Sequence, residues 1–201
     1  MDNEKLTVFT LDNTKEIFFH LENCQGVEQH KEWHPEGDVF DHALQTVKWA
    51  FRETDDVDLI LAALLHDVGK QVKSLGHEQY SCELLKGCVS TKTLFLIENH
   101  MRVWYYINGE MKKLSKCKEL AEHPWLPELI QLARFDKKGR NPNVKVKYDK
   151  DDLIERLNKA SMQHFRIPEG LKKEIQKITV AGLIERQNNK ATEQGIEAEQ
   201  G

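Results

Sequence analysis

The most apolar stretch of the sequence, Leu59–Leu65, is closed off by Asp58 and His66, well short of the ~20 residues a membrane-spanning helix needs. No basic excess exists either: 29 Lys and Arg stand against 33 Asp and Glu, for a formal net charge of −4. That balance argues against a general nucleic-acid-binding surface, although a local basic cluster can still hold a phosphate. The four cysteines, Cys24, Cys82, Cys88 and Cys117, form no Cys-x-x-Cys pair, which excludes a zinc ribbon and reads as plain reduced thiols. The start, Met1-Asp2-Asn3-Glu4-Lys5, lacks the basic opening and apolar run of a secretory signal, so a cytoplasmic location is expected. No internal repeat is visible, and no second core.

What is present suits an ordinary globular chain: 201 residues, 39% hydrophobic and 31% charged, enough for one domain. Residues 1–187 are expected to form it, with 188–201 a polar tail. Ile17, Phe18 and Leu21 suggest a short early helix. Trp33-His34-Pro35-Glu36-Gly37-Asp38 reads as an ordered loop, and Asp38 as the N-cap of a helix through about Arg52, whose Phe40, Ala43, Leu44, Val47, Ala50 and Phe51 recur at helical spacing. A central helix opens at Asp55 or Asp56 and runs to Gly69, which is expected to end it. Further helices are expected over His77–Leu85, Thr91–Met101, Glu128–Phe135, Asp151–Met162 and Pro168–Gln187. Asn108-Gly109 reads as a tight turn between strands Val103–Ile107 and Glu110–Leu114, a small hairpin.

The stretch Leu61-Ala62-Ala63-Leu64-Leu65-His66-Asp67-Val68-Gly69-Lys70 organises the rest. An adjacent His and Asp at the end of a buried segment are costly to desolvate unless something pairs with them, and a divalent cation suits both. Other polar residues also fall beside apolar helical stripes or at inner helix ends: His42, His77, His100 and Asp136. His42, His66, Asp67 and Asp136 would make a mixed imidazole and carboxylate site for Mn, Fe, Co, Ni, Mg or Zn. Adding His77 and His100 gives enough donors for two ions, with Asp67 placed to bridge them.

The order His42, His66-Asp67, Asp136 resembles the signature of the HD-domain superfamily of metal-dependent phosphohydrolases, over roughly His34 to Arg140. Trp33-His34-Pro35-Glu36-Gly37-Asp38-Val39 with Asp41-His42, and Leu132-Ala133-Arg134-Phe135-Asp136 with Gly139-Arg140, are especially similar to the HD domain attached to bacterial tRNA nucleotidyltransferases. His77-Glu78 and Asn99-His100 match the extra histidines of the binuclear branch. The resemblance implies an all-α HD-domain helical bundle around one or two divalent metal ions, with the hairpin as an insertion. Only about thirty residues precede His34, so nucleotide addition is not expected.

The function implied is hydrolysis of a phosphate ester, a nucleotide or related compound, by a metal-activated water. Asp67 and Lys70 would be the catalytic residues; Lys70 and Arg140 would bind the substrate's phosphate. Lys70 also suits a helix C-terminus simply as a cation, and His34 reads as a loop-capping histidine. Trp33, Trp104 and Tyr105 could stack on a base or pack. Two rival readings come from other classes: a di-iron oxygenase, and a non-catalytic module that binds a nucleotide or a partner protein. Small-molecule phosphate esters are the expected partners, with neither nucleic acid nor membrane.

Overall fold

In the computed structural model, residues 11–160 are described. They form nine α-helices among the described residues: α1 (Leu11–Glu22), α2 (Val39–Glu53), α3 (Val57–Leu65), α4 (His77–Leu85), α5 (Thr91–Asn99), α6 (Arg102–Ile107), α7 (Leu114–Ala121), α8 (Leu126–Lys138) and α9 (Lys150–Ala160). The all-α expectation holds.

The start of α2 follows from Asp38. Its backbone is extended, at φ −127° and ψ 136°, and one carboxylate oxygen accepts from Asp41 N at 3.0 Å, satisfying an amide the helix cannot. The other oxygen accepts from Gly26 N at 2.8 Å. One side chain therefore caps the helix and ties down the loop that enters it. Helix α3 is capped by Asp56, whose Oδ1 accepts from Asp58 N and Leu59 N. Beyond that cap every residue from Leu59 to Leu65 is buried, as expected of a helix apolar all round. It lies at the centre, in contact with α2, α5, α8 and α9.

Helix α3 does not run on to Gly69. It ends at Leu65, with His66 as its cap. Asp67 then leaves helical geometry at φ −103° and ψ 2°, and Val68–Gln71 form a single 3-10 turn containing both Gly69 and Lys70. Gly69 serves close approach instead. A Cβ there would lie 2.1 Å from His77 O and 2.5 Å from Ser81 N, so only glycine lets α4 pack against this turn. Ser81 Oγ completes the joint: it accepts from Gly69 N at 2.8 Å and donates to His66 O at 2.9 Å. A similar contact closes the other side, where a Cβ on Gly139 would meet Thr46 Oγ1 of α2 at 2.2 Å. Gln45 extends it by donating to Asn141 O and Val144 O, each at 2.9 Å.

The expected hairpin is not formed. Val103 to Ile107 lie in α6, and Leu114 opens α7. Val103 and Tyr106 are the buried residues of α6, and their i, i+3 spacing puts both on one helical face. Asn108-Gly109 is a turn, with Gly109 at φ 68°, but it follows a helix. Among the described residues the nearest thing to sheet pairing is an isolated bridge between Glu28 and Asp38. Helix α8 also exceeds its expected bounds, so that Asp136 lies within its last turn and not beyond it. The expected helix Pro168–Gln187 and the tail 188–201 lie outside the described residues.

No helix among the described residues is long and apolar enough to cross a membrane. The buried side chains of α1–α9 form one contiguous core, and the polar centre described next is set into it.

Candidate metal centre

Six side chains from five α-helices and the 3-10 turn after α3 meet at the inner end of α3. His42 comes from the first turns of α2, His66 caps α3, and Asp67 begins the turn that follows. His77 is the first residue of α4, His100 caps α5, and Asp136 sits in the last turn of α8. All six are buried. The structure thus brings together every residue singled out from the sequence as a metal ligand.

The two oxygens of Asp67 divide these donors into two groups. Oδ1 lies 2.9 Å from His77 Nε2 and 3.6 Å from His100 Nε2. Oδ2 lies 3.5 Å from His66 Nε2 and 3.8 Å from His42 Nε2. Asp136 Oδ1 joins the second group, 3.1 Å from His42 Nε2.

The four histidines are oriented alike. Each points Nδ1 at an acceptor: Ala63 O for His66 (3.2 Å), Ser74 O for His77 (2.8 Å), Ile97 O for His100 (2.6 Å), and Glu36 Oε1 for His42 (2.8 Å). A hydrogen bond at Nδ1 places the ring proton there. In the neutral ring, Nε2 then presents a lone pair to the centre. Yet His77 Nε2 and His100 Nε2 are 3.0 Å apart, and His42 Nε2 and His66 Nε2 are 3.3 Å apart. Facing lone pairs at that distance repel unless a proton or a metal cation lies between them. Donors held about 2.1 Å from a divalent ion are ~3.0 Å apart in a six-coordinate shell and ~3.4 Å in a four-coordinate one. The shortest separations within each group here run from 2.9 to 3.8 Å, and His42, His66 and Asp136 each offer a ligand atom within 4.8 Å of the others. The residues present fit divalent cations, and imidazole with carboxylate suits first-row transition metals.

Charge is distributed to match. Burial pushes the His66 imidazole down to about 3, keeping it neutral. Burial would lower His42 too, but the Asp136 and Glu36 carboxylates more than offset that and hold it at about 9. Burial alone would raise Asp67, yet the neighbouring His66, Lys70, His100 and His77 hold it well below the usual carboxylate range. Asp136 is likewise held down against burial, chiefly by His42. Without a cation, His42 takes that role as an imidazolium between two carboxylates.

Lys70 and Arg140 lie at the more open edge. Lys70 Nζ donates to Asp67 Oδ2 at 2.7 Å and to Gln29 Oε1 at 2.5 Å, and lies 3.4 Å from His34 Nε2. An ammonium group has three protons, so each has a partner. Arg140 grips both oxygens of Asp136 through Nη2 at 2.8 and 2.7 Å, adds Nε to Oδ1 at 3.1 Å, and reaches Trp33 O through Nη1 at 3.2 Å. Both cations brace a carboxylate of the centre.

Sequence reasoning passed over several participants. His34, which the sequence marks as a loop-capping residue, also lies against the centre: its ring is 4.7 Å from that of His42, in edge contact. Glu36 was unmarked, although its carboxylate is wholly buried. Gln29, Thr46 and Ser81 had no signal, because each acts through contacts between segments distant in sequence. Trp33 is 63% exposed, which removes a packing role; Trp104 packs against the core, and Tyr105 is exposed.

The sequence profile of the HD domain family matches residues 39–140, just over half of the chain. A "Multifunctional CCA protein" of Shewanella denitrificans is 40% identical over 77 residues, covering 35% of this chain and 19% of that protein. A protein of the same name from Acinetobacter baumannii is 27% identical over 146 residues, covering 63% of this chain and 35% of the relative. The chain thus spans about a third or less of the length of these relatives.

Proposed function

The chain belongs to the HD-domain family, and from that premise we propose that it is a metal-dependent phosphohydrolase acting on a nucleotide or related phosphate ester. The observation that carries this reading is the division of labour at Asp67. Its Oδ1 faces His77 and His100, while its Oδ2 faces His42 and His66. In this reading His42, His66, Asp67 and Asp136 hold one divalent ion, Asp67, His77 and His100 hold a second, and Asp67 is shared between them.

When bound, such an ion lowers the pKa of a coordinated water from 15.7 towards ~7 and withdraws charge from a phosphoryl oxygen. The remaining work falls to the chain. Lys70 fixes Asp67 in the orientation that directs one oxygen to each donor group. Arg140 does the same for Asp136, and its planar fork suits two-point contact with a carboxylate. The contacts made by Arg140 use Nε–H, one Nη2–H shared between the two Asp136 oxygens, and one Nη1–H, leaving one N–H on each Nη for a non-bridging phosphate oxygen. The centre is buried at Asp67, His77 and Asp136 but more open at Lys70, His34 and Arg140, whose side chains are 10%, 13% and 25% exposed. A phosphate would enter on that side, where the backbone of Trp33 holds Arg140 and its exposed indole offers a face to a base.

The test is metal analysis together with a panel of phosphomonoesters and phosphodiesters, run on the parent and on Asp67→Ala. Hydrolysis that requires Mn, Co, Ni or Mg and disappears in the variant is the expected result. No hydrolysis of any phosphate ester with metal bound, or activity surviving in the variant, would overturn the reading. Bound iron with oxygen consumption would favour the di-iron oxygenase instead.

A further inference from the structure

Glu36 touches no Nε2 of the centre, yet its side chain is 0% exposed. One oxygen, Oε1, accepts from two imidazoles: His42 Nδ1 at 2.8 Å and His34 Nδ1 at 2.9 Å. The other, Oε2, is buried with no hydrogen-bond partner among the described residues. A carboxylate half-satisfied in the interior is costly, so its two histidine contacts are what hold it there.

From Glu36 the contacts run in a ring. His34 Nε2 lies 3.4 Å from Lys70 Nζ, Lys70 Nζ lies 2.7 Å from Asp67 Oδ2, and Asp67 Oδ2 lies 3.8 Å from His42 Nε2. His42 is also the odd one among the four histidines. His66, His77 and His100 each lean on a backbone carbonyl of their own segment, three residues earlier in the chain. The carbonyl nearest His42 Nδ1, Gly139 O, is more distant at 3.3 Å. The orientation of His42 therefore depends on a side chain.

We infer that Glu36 is a positioning residue of the metal centre: it holds His42 with its proton on Nδ1 and its Nε2 lone pair on the ion, and through His34 and Lys70 it ties that donor to Asp67. A carboxylate behind a ligating imidazole also makes the ring a stronger donor, and loss of such a partner costs about 10- to 100-fold in metal affinity. The inference rests on the reading of the centre as a divalent-cation site.

The probe is zinc alone, titrated into metal-free protein by calorimetry, with the ring nitrogens of His42 followed by 15N NMR. Glu36→Ala is expected to bind the same number of zinc ions at saturation, about 10- to 100-fold more weakly. It should also show a second His42 population with the ring protonated or metallated on the other nitrogen. Glu36→Gln keeps the shape and an accepting oxygen, so it should fall between parent and Glu36→Ala. If Glu36→Ala proves unfolded by circular dichroism, Glu36→Gln carries the comparison. Unchanged affinity with unchanged His42 nitrogen shifts would overturn the inference. So would loss of a whole equivalent of zinc at saturation, which would make Glu36 a ligand. A parent that binds zinc while Glu36→Ala matches it sinks this inference alone; a parent that takes up no zinc sinks the reading of the centre as well.

Discussion

His77 and His100 face one another through Nε2 atoms 3.0 Å apart, while each spends its Nδ1 proton on a backbone carbonyl of its own segment. Their only shared acidic neighbour among the described residues is Oδ1 of Asp67. His77→Ala or His100→Ala should therefore remove one of two bound ions and leave the other, held by His42, His66, Asp67 and Asp136. Metal analysis after equilibration with Mn or Co should give a stoichiometry lower by one. Retention of both ions would show that the two donor groups do not act separately.

Gly69→Ala should be among the most destabilising single substitutions in the chain. The new methyl would meet backbone atoms of His77 and Ser81 at 2.1 and 2.5 Å, and neither can swing aside as a side-chain tip could. Overpacking of this kind costs about 1–3 kcal/mol and occasionally more, and here it should lie at the upper end. Urea denaturation measures it. Because the displaced atoms begin α4, metal bound through His77 should weaken in parallel, and a variant as stable as the parent would contradict the packing described.

Lys92 supplies a pH signature far from the centre. Its Nζ donates to Asp56 Oδ2 at 2.5 Å and to Glu128 Oε1 at 2.9 Å. Partial burial alone would lower the ammonium's pKa, but the two carboxylates raise it above its ordinary value. A raised folded-state pKa means that this stabilisation is fully present below the unfolded value of ~10.4 and is lost as pH climbs through the folded one. Lys92→Met should cost about 1–3 kcal/mol at neutral pH, since it leaves two mostly buried carboxylates without their cation. Above about pH 10.4 the gap between variant and parent should narrow. Thermal melts across that range decide the point.

Trp33→Ala tests the direction of substrate entry. Stacking of a base on an aromatic ring is worth about 1–3 kcal/mol, so KM for a nucleoside phosphate should rise roughly 5-fold or more. Hydrolysis of an alkyl phosphate should be unchanged. Equal effects on both substrates would remove Trp33 from base recognition.

Much of the framework was legible because it depends on local pattern. Asp38 announced one helix start and the pair Asp55-Asp56 another, and the unbroken apolar run of Leu59–Leu65 announced the central helix. The six donors stood out because each lies beside an apolar helical stripe or at the inner end of a helix. Misreadings arose where tertiary contact decides. Gly69 carries the letter of a helix terminator, but its reason is the backbone of α4, which is invisible from its neighbours. Val103, Tyr106 and Ile107 fit a short strand as easily as a helix until burial picks out the i, i+3 pair. Glu36 was the hardest to see. A glutamate between Pro35 and Gly37 looks like surface, and only the fold reveals two imidazoles waiting for its oxygen.

The donors also differ in how far apart they lie along the chain, from His42 in α2 to Asp136 in α8. An ion gripped there would act as a rivet through the early, middle and late parts of the polypeptide at once. Ligands that bind only the folded form stabilise it by RT ln(1 + L/Kd) at free concentration L, so the gain grows with the logarithm of that concentration. If such an ion is bound, cellular abundance of the protein should follow the metal supply, with metal-free molecules the first to be cleared by proteolysis.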